Sequence, residues 1–480
     1  MNLLSRGEGE IISAEKETLW RTVIYHGAGV YLVGSSGPKR AINYLQMLGD
    51  VLLVNLAIVL SFWIRFHGNI PQSNFASYIS ISPFISVIAL LIFNFYGLYH
   101  TSRKSWGEIA ASIAASIAIL TPITIAASYM SHSFAFPRTV FLISAVLQLS
   151  LIVIWRWVML RYETKVTPDE RAMVVAPVGE MDELLKKIEN SYDVYAMVTD
   201  QKVSSISPKR QYGIYADIER LYHKCHPSVI FVSSSVPEDI KRILTEKALE
   251  NGCRLLLVPS LFEIMLAQSR LGQIEDTPVL EIGISSDPGK EQTKRFMDIV
   301  LSFLGLVVLS PIMLVVAIAI KLDSPGPVFY RQERISQGGR RFMVVKFRTM
   351  TDGAENNTGP VISQDSDPRV TRVGRILRAT RFDEVPQLFN VLNGDMSIVG
   401  PRPERPFFVE QFEKEIPEYS HRHMVKAGIT GLAQVAGRYS TSPEDKLKYD
   451  LLYARSASPL MDLRIMLQTL KVILMREKAS

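Results

Sequence analysis

At 480 residues the chain has room for two or three domains. Its mean hydropathy of +0.14, with 48% hydrophobic residues, is too high for an ordinary soluble enzyme and directs attention to membrane segments. A net charge of +6 suits contact with anionic lipid heads or anionic substrates, and no nucleic-acid-binding motif stands out. The two cysteines, Cys225 and Cys253, are too far apart for a CxxC site, which argues against a disulfide framework or a zinc ribbon.

Residues 1–40 carry mixed charge and no apolar core of the kind a cleavable leader needs, so they read as a cytosolic N-terminal arm. Four apolar runs follow within residues 41–164, at Tyr44–Trp63, Tyr78–Leu98, Ile109–Met130 and Thr139–Leu160. Each approaches the ~20 residues that cross a bilayer core, which predicts a four-helix transmembrane bundle. Trp63, Tyr99, Trp106, Trp155 and Trp157 are expected as interfacial aromatics. Lys39, Arg40, Arg103, Lys104, Arg156, Arg161 and Lys165 mark one side, against Arg65 and Arg138 on the other. The positive-inside rule then places both ends of this segment in the cytoplasm.

Residues 165–287 change character. Short apolar strands such as RAMVVAP, PSVIFVSS and CRLLLVP alternate with amphipathic stretches such as EMDELLKKIEN, predicting a parallel sheet in a Rossmann-like α/β domain. The first strand runs into Ala176-Pro177-Val178-Gly179, without the Gly-rich turn that admits a pyrophosphate, so a scaffolding or regulatory role is expected over dinucleotide binding.

Residues 288–480 carry the chemistry. A fifth apolar run, Phe296–Ile320, has basic residues at both flanks and Ser310-Pro311 inside it. Proline removes a backbone donor, so a helix-break-helix that enters and leaves on the same face is predicted, with a fifth full span as the alternative and the Ser310 hydroxyl available to the broken backbone. VFYRQERI and RRFMVVKFRTM read as two strands around Gln337-Gly338-Gly339, with Lys346 and Arg348 on one face where they could grip a phosphate. Residues Thr351–Asp367 read as a loop, plausible as a lid. Arg369, Arg372, Arg375 and Arg378 repeat every three residues and lead to adjacent acids, Asp383-Glu384, just before Pro386 and a predicted helix over Gln387–Leu392. Carboxylates among Arg378, Arg381, Arg402 and Arg405 suit a nucleophile and a metal ligand handling phosphate esters; a solvated surface pair is the bland alternative.

The stretch from Lys294 to Arg476 resembles the catalytic domain of the bacterial sugar transferase family, the monotopic phosphoglycosyl transferases. The matching segments are KRFMDIVLSFLGLVVLSPIML, SPGPVFYRQERI, KFRTM, FDEVPQLFNVLNGDMSIVGPRP and GITGLAQVAGR, in family order. The preceding spans and Rossmann-like domain resemble the long-form members, undecaprenyl-phosphate glucose or galactose phosphotransferases. The resemblance implies an α/β catalytic domain with a re-entrant membrane helix at about 296–320, on the cytosolic face of the bacterial inner membrane. It implies transfer of hexose 1-phosphate from a UDP-hexose to undecaprenyl phosphate, releasing UMP, as the first membrane step of capsule, O-antigen or exopolysaccharide synthesis.

By the same resemblance Asp383 is the nucleophile of a ping-pong reaction and Glu384 the Mg²⁺ ligand. Arg378, Arg402, Lys346 and Arg348 bind substrate phosphate, Ser310 and Pro311 make the membrane-helix break, Gly428–Arg438 lies near the donor, and the assembly is a homodimer. His421 and His423, which flank the site in sequence, are read as surface or structural residues in preference to acid/base groups. The chain departs from the family's frequent Ser-Leu before the acids, carrying Arg381-Phe382, which bears on sugar or lipid preference. A membrane nucleotide-sugar dehydratase would need a Gly-rich turn and a Tyr-x-x-x-Lys pair, and no tyrosine here has lysine four residues on. A non-catalytic assembly scaffold is the other alternative, against which the intact acids and arginines count. The transferred hexose is not readable from the sequence.

Overall fold

A computed structural model describes residues 37–99, 105–130, 137–166, 170–189, 192–202, 210–266, 269–274, 277–281, 288–351, 353, 367–437 and 441–474. The chain divides into two compact units, Met1–Pro168 and Asp169–Ser480. Most of the expected arm at 1–40, most of the expected lid at 351–367, Arg103, Lys104, Arg438 and Arg476 lie outside the described residues.

The first unit is helical. Helices α1 (Gly37–Arg65), α2 (Gln72–Phe95), α3 (Trp106–Met130) and α4 (Arg138–Val166) follow the four apolar runs. Helix α1 packs on α2 and α4, and α3 packs on the same two. Ile58, Phe62, Ile85, Phe93, Ile113, Leu120 and Ile152 fill the interior, while Leu48, Leu52, Phe84, Leu91, Leu142 and Val146 are exposed. An apolar exterior as well as an apolar interior is what a bilayer solvent selects.

Three interface assignments are corrected. Arg156 is fully buried, bonds Gln46 Oε1 at 2.8 Å and pairs with Asp50, so it ties α4 to α1 rather than marking a membrane face. Tyr99 is buried with the Arg156 guanidinium 5.1 Å over its ring, and the Trp155 ring packs on Gly49, where an added Cβ would lie 2.3 Å from it. Trp63, Trp106 and Trp157 are exposed.

The second unit opens with a five-stranded parallel sheet of order β3-β2-β1-β4-β5. Its elements are β1 (Arg171–Val175), α5 (Val178–Ile188), β2 (Asp193–Thr199), β3 (Gln211–Ile214), α6 (Ile218–Cys225), β4 (Val229–Ser233), α7 (Glu238–Asn251) and β5 (Arg254–Val258). Met173 and Val175 join a core with α6 and α7, while Ala172 and Val174 join a second core with Met181, Leu184 and Leu185 of α5. Burial on both faces explains why these strands read as unbroken apolar runs. Cys225 and Cys253 are free thiols.

At the carboxyl ends of β1 and β4, where parallel sheets of this order bind phosphates, the chain's own acids stand. Asp200 Oδ1 accepts the Val178 N–H at 2.9 Å, and the Glu180 carboxylate accepts the hydroxyls of Ser233 and, at 2.6 Å, Ser235.

After α8 (Leu261–Leu266) and the hairpin β6 (Arg270–Ile274) and β7 (Thr277–Glu281) comes α9, Pro288–Asp323. With α1–α4 it makes five helices long and apolar enough to cross a membrane, among the described residues. The expected break at Ser310-Pro311 is not a break in the backbone, which stays helical through Pro311. The Val307 carbonyl that proline leaves without its usual donor accepts the Ser310 hydroxyl at 2.8 Å.

The remaining elements are β8 (Phe329–Ile335), β9 (Arg341–Phe347), α10 (Arg372–Ala379), α11 (Gln387–Asn393), β10 (Ser397–Val399), α12 (Pro406–Glu415), β11 (Gly428–Thr430), α13 (Leu432–Ala436), α14 (Pro443–Ser456) and α15 (Pro459–Ile473). Strands β8 and β9 form the expected antiparallel hairpin, turned by Gly338 and Gly339 at φ 65° and 77°. Strands β10 and β11 pair in parallel.

Helix α9 is docked on this region at both ends. Near its start, Lys294 bonds Asp462 and the Val399 carbonyl, Arg295 bonds the Val391 and Leu392 carbonyls, and Asp298 accepts from Ser397 Oγ and Ile398 N. At its end, Asp323 Oδ2 accepts the Val373 N–H at 3.0 Å, and Ile320 is buried against Phe347 and Leu377.

Candidate active site

The acids at 383 and 384 sit in a 3-10 turn over Phe382–Glu384, entered through Arg381 in the left-handed region at φ 57°. A non-glycine residue there costs backbone strain and turns the chain sharply. Aromatic stacking locates the turn. The Phe382 ring lies parallel to Phe347 at 6.4 Å, and Phe347 stacks on Phe329 at 5.4 Å. Phe347 follows Lys346 on β9, so this stack brings the acids over that lysine.

Helix α10 reaches the same place by close approach. Thr371 caps it, accepting the Gly374 N–H at 3.0 Å, and a Cβ on Gly374 would lie 2.1 Å from the Thr349 carbonyl oxygen. Only glycine allows that contact, which carries Arg378 to Thr349, where its Nε donates to Oγ1 at 2.9 Å. The predicted arginine stripe is shorter than expected. Arg369 precedes α10 and bonds Asp367, while Arg372 and Arg375 are exposed on the helix.

Glu384 is clamped by two cations. Lys346 Nζ donates to Oε1 at 2.8 Å, and Arg402 donates to Oε1 at 2.7 Å and to Oε2 at 3.4 Å. Arg402 is itself held from behind. Its carbonyl accepts Arg422 Nη2 at 2.9 Å, the adjacent Pro403 carbonyl accepts Arg334 Nη1 at 3.1 Å, and buried Arg422 pairs with Asp450 at 2.9 Å. Asp383 is also buried, yet among the described residues no side chain hydrogen-bonds to its carboxylate.

These surroundings drive the two acids apart. Burial, then the charge of Glu384, pushes the Asp383 carboxyl up to about 6, against the pull of Lys346, Arg402 and Arg378. Burial also opposes ionisation of Glu384, but Arg402 and Lys346 overcome it and hold that acid well below the ordinary carboxylate range. The Glu384 charge in turn raises Arg402. Divergent titration of paired acids marks different tasks for them. One is held as an anion, and the other is a buried carboxylate without a side-chain hydrogen-bond partner among the described residues.

The structure brings Asp383, Glu384, Lys346 and Arg402 together, with Arg378 close enough for its charge to act on Asp383. It does not bring Arg348 into that group. Arg348 follows the end of β9, and its guanidinium bonds the Ser324 and Pro325 carbonyls at 2.7 and 2.8 Å. The expected shared face with Lys346 therefore gives way to a clamp on the Ser-Pro-Gly-Pro turn. Ser310 and Pro311 lie in the exposed middle of α9. Gly428 and Thr430 are buried beside β10, while His421 and His423 are partly buried.

Several residues that support the site carry little local sequence signal. Asn390 bridges α11 to β9 through the Met343 carbonyl at 2.8 Å and the Val345 N–H at 3.0 Å. Arg334, Arg422, Asp450 and Thr349 hold the arginines in place. Their signal was weak, since each partner is distant in sequence, though an arginine between two histidines next to apolar segments could have been suspected of burial.

Among the described residues no cluster of three or more His, Cys, Asp or Glu could hold a metal alone. The donor set nevertheless fits a hard divalent ion that keeps water and substrate oxygens as ligands. It offers two adjacent carboxylates, with Glu384 Oε2 engaged only by the 3.4 Å contact to Arg402.

Residues 289–476, which begin with α9, match the model of the family described as bacterial sugar transferase. The chain is 42% identical over 212 residues to a UDP-N-acetylgalactosamine-undecaprenyl-phosphate N-acetylgalactosaminephosphotransferase of Aeromonas hydrophila, covering 44% of this chain and 48% of that one. It is 40% identical over 247 residues to a UDP-glucose:undecaprenyl-phosphate glucose-1-phosphate transferase of Klebsiella pneumoniae, covering 50% and 53%. The match to the same-named enzyme of Caulobacter vibrioides is 40% over 226 residues, covering 44% of this chain and 84% of that one. The chain thus spans about half the length of the first two relatives and most of the third. With the clamped acid and its buried neighbour on that shared segment, the chain belongs to the bacterial sugar transferase family.

Proposed function

We propose that this protein transfers hexose 1-phosphate from a UDP-hexose to undecaprenyl phosphate, giving undecaprenyl-diphosphate-sugar and UMP. The observation that carries the reading is the asymmetry of the acids, Glu384 clamped by Lys346 and Arg402 while Asp383 has no hydrogen-bond partner among the described residues. An Asp383 oxygen attacks the β-phosphorus, the bond from that phosphorus to the bridging oxygen breaks, and UMP leaves with the electron pair. A lipid phosphate oxygen then attacks the same phosphorus and releases the Asp383 carboxylate, so the kinetics are ping-pong. Arg402, Lys346 and Arg378 hold the diphosphate oxygens by charge-assisted hydrogen bonds, and Arg348 supports the site by fixing the 324–327 turn. Mg²⁺, held through Glu384, would neutralise diphosphate charge.

The membrane arrangement is part of the proposal. Helices α1–α4 form a transmembrane bundle, the β1–β5 domain is Rossmann-like, and α9 is re-entrant. What supports re-entry is the docking of both ends of α9 on one folded body, with Pro311 between them as the place where such a helix bends. The catalytic region then faces the cytosol of the bacterial cytoplasmic membrane, where nucleotide sugars are made. Cysteines introduced after Lys321 should resist labelling from the periplasmic side, and labelling there would refute this placement. Homodimerisation is proposed from the long-form resemblance, and a monomeric mass in lipid nanodiscs would count against it.

The activity is tested with membranes, radiolabelled UDP-hexoses and undecaprenyl phosphate. Label should enter the lipid fraction with at least one donor and stop doing so in Asp383→Asn. Full activity of that variant, or no transfer from any donor, sinks the reading.

A further inference from the structure

Gln387 is buried at 2% exposure in the first turn of α11, and among the described residues no hydrogen bond reaches its side-chain amide. Its neighbour one turn on, Asn390, is 3% exposed, and both ends of its amide are bonded to β9. The residue is enclosed, yet its amide atoms are not among the fully buried unpartnered ones, so they keep a narrow access through which water or a ligand can satisfy them.

The place of Gln387 indicates which ligand. It follows Asp383 by four residues and Glu384 by three, through Val385 and Pro386, whose backbone remains right-handed helical (φ −55° and −62°). Residues three and four apart share a helix face, so the amide lies below the acids on the side that carries Asn390 toward β9. Lys346 meets Glu384 above it, and Val345 meets Asn390 below. The face that carries Glu384 to Lys346 and Asn390 to Val345 therefore carries Gln387 between them, one helical turn from the acids.

We propose that Gln387 is a catalytic residue of the transfer reaction, its amide NH₂ donating a hydrogen bond to an oxygen of the phosphoryl group that Asp383 receives. This rests on the transferase reading above. A neutral donor is well suited to the position. The cations Lys346, Arg402 and Arg378 already attract the diphosphate ground state, and an amide can strengthen its bond as the phosphoryl oxygens move without adding a further charge.

Such a role separates activity from stability. An amide that waits for substrate contributes nothing to folding, so an apolar side chain of the same length should be tolerated. The full-length protein in lipid nanodiscs is compared with Gln387→Met and Gln387→Leu. Turnover is read as UMP release with undecaprenyl phosphate and a panel of UDP-glucose, UDP-galactose and UDP-N-acetylgalactosamine, and stability as Tm without substrate. Both variants are expected to keep or raise Tm while kcat falls roughly a hundredfold, the scale seen on removing one donor to a developing oxyanion.

A kcat within threefold of wild type overturns the inference. So does a kcat loss accompanied by a Tm lower by several degrees, or failure of both variants to fold, because either result gives the amide a structural partner. An active wild type matched by an active Gln387→Met defeats this inference alone. A wild type that turns over none of the donors defeats the transferase reading and this inference with it.

Discussion

Replacing the proposed nucleophile should make the protein more stable at neutral and alkaline pH, and less so as pH falls. Asp383 is held in a buried position where its carboxyl titrates at about 6, against 3.8 for an ordinary aspartate. The folded chain therefore keeps this proton to a higher pH than the unfolded chain does. Stability from this group is greatest below about pH 4, declines as pH rises from 4 to 6, and above 6 stays at its lowest level. The gap, converted at 1.36 kcal/mol per pH unit, is a penalty on the order of 3 kcal/mol for the ionised wild type. Asn at this position has nearly the same shape and cannot ionise. Asp383→Asn should thus unfold several degrees above wild type at pH 8 and within a degree of it at pH 4, both measured in EDTA by intrinsic fluorescence. The same variant should transfer no sugar phosphate. Equal stability at pH 8, or a stability gain that does not shrink on acidification, would refute the argument that this carboxylate is held desolvated for attack.

Other expectations follow from the contacts around the site and in the helical unit. Asn390→Leu leaves the Met343 carbonyl and the Val345 N–H without their partner, and two orphaned groups at about 1–3 kcal/mol each should lower the unfolding free energy by about 2–5 kcal/mol; a loss under 1 kcal/mol in denaturant titration would contradict this. Burial, then the adjacent Arg422, lowers His423 from 6.5 to about 4, so its contribution to stability is whole above pH 6.5 and is lost as pH falls toward 4. After discount for partial exposure that is worth about 1–2 kcal/mol, and His423→Phe should flatten the stability profile in that window. Asp50→Leu should destabilise the helical unit by about 3–5 kcal/mol by stranding Arg156, while Asp50→Leu combined with Arg156→Met should recover most of the loss; additive losses in detergent thermal scans would show the pair is not coupled.

How much of this was legible in the sequence varies with the range of the interaction. The hairpin, the helix after Pro386 and the proximity of the acids to arginines depend on local alternation and turn chemistry, and these the residues state openly. Strand alternation carried past Phe347 puts Arg348 beside Lys346, but β9 ends there and the Arg348 side chain clamps the 324–325 carbonyls instead. Pro311 was read as a helix break because its lost donor is visible in the sequence, whereas the Ser310 hydroxyl on Val307 that offsets it depends on a rotamer. Arg156 was counted as an interfacial charge because its partner, Asp50, lies 106 residues away. The buried pair of Arg422 and Asp450 was invisible for the same reason. Local rules find the reacting groups; the residues that fix their position come from distant segments meeting.

Those fixing contacts bear on how a membrane-embedded substrate is met. Arg295 bonds the last carbonyls of α11, the helix that begins three residues after Glu384, and Asp298 bonds β10, the strand that ends three residues before Arg402. Both arms of the candidate site are therefore tied to the base of the same apolar helix. On the proposed activity, one substrate arrives from water and the other is confined to the headgroup layer, so the depth of Asp383 relative to the lipid phosphate must be held closely. Small misplacements of reacting atoms cost large factors in rate. A flexible tether between helix and site would leave that depth undefined, whereas a helix bonded to both arms sets it when it enters the lipid. On that proposal the long helix does more than hold the protein at the membrane: through Arg295 and Asp298 it positions the acid and the arginine that meet the phosphate together.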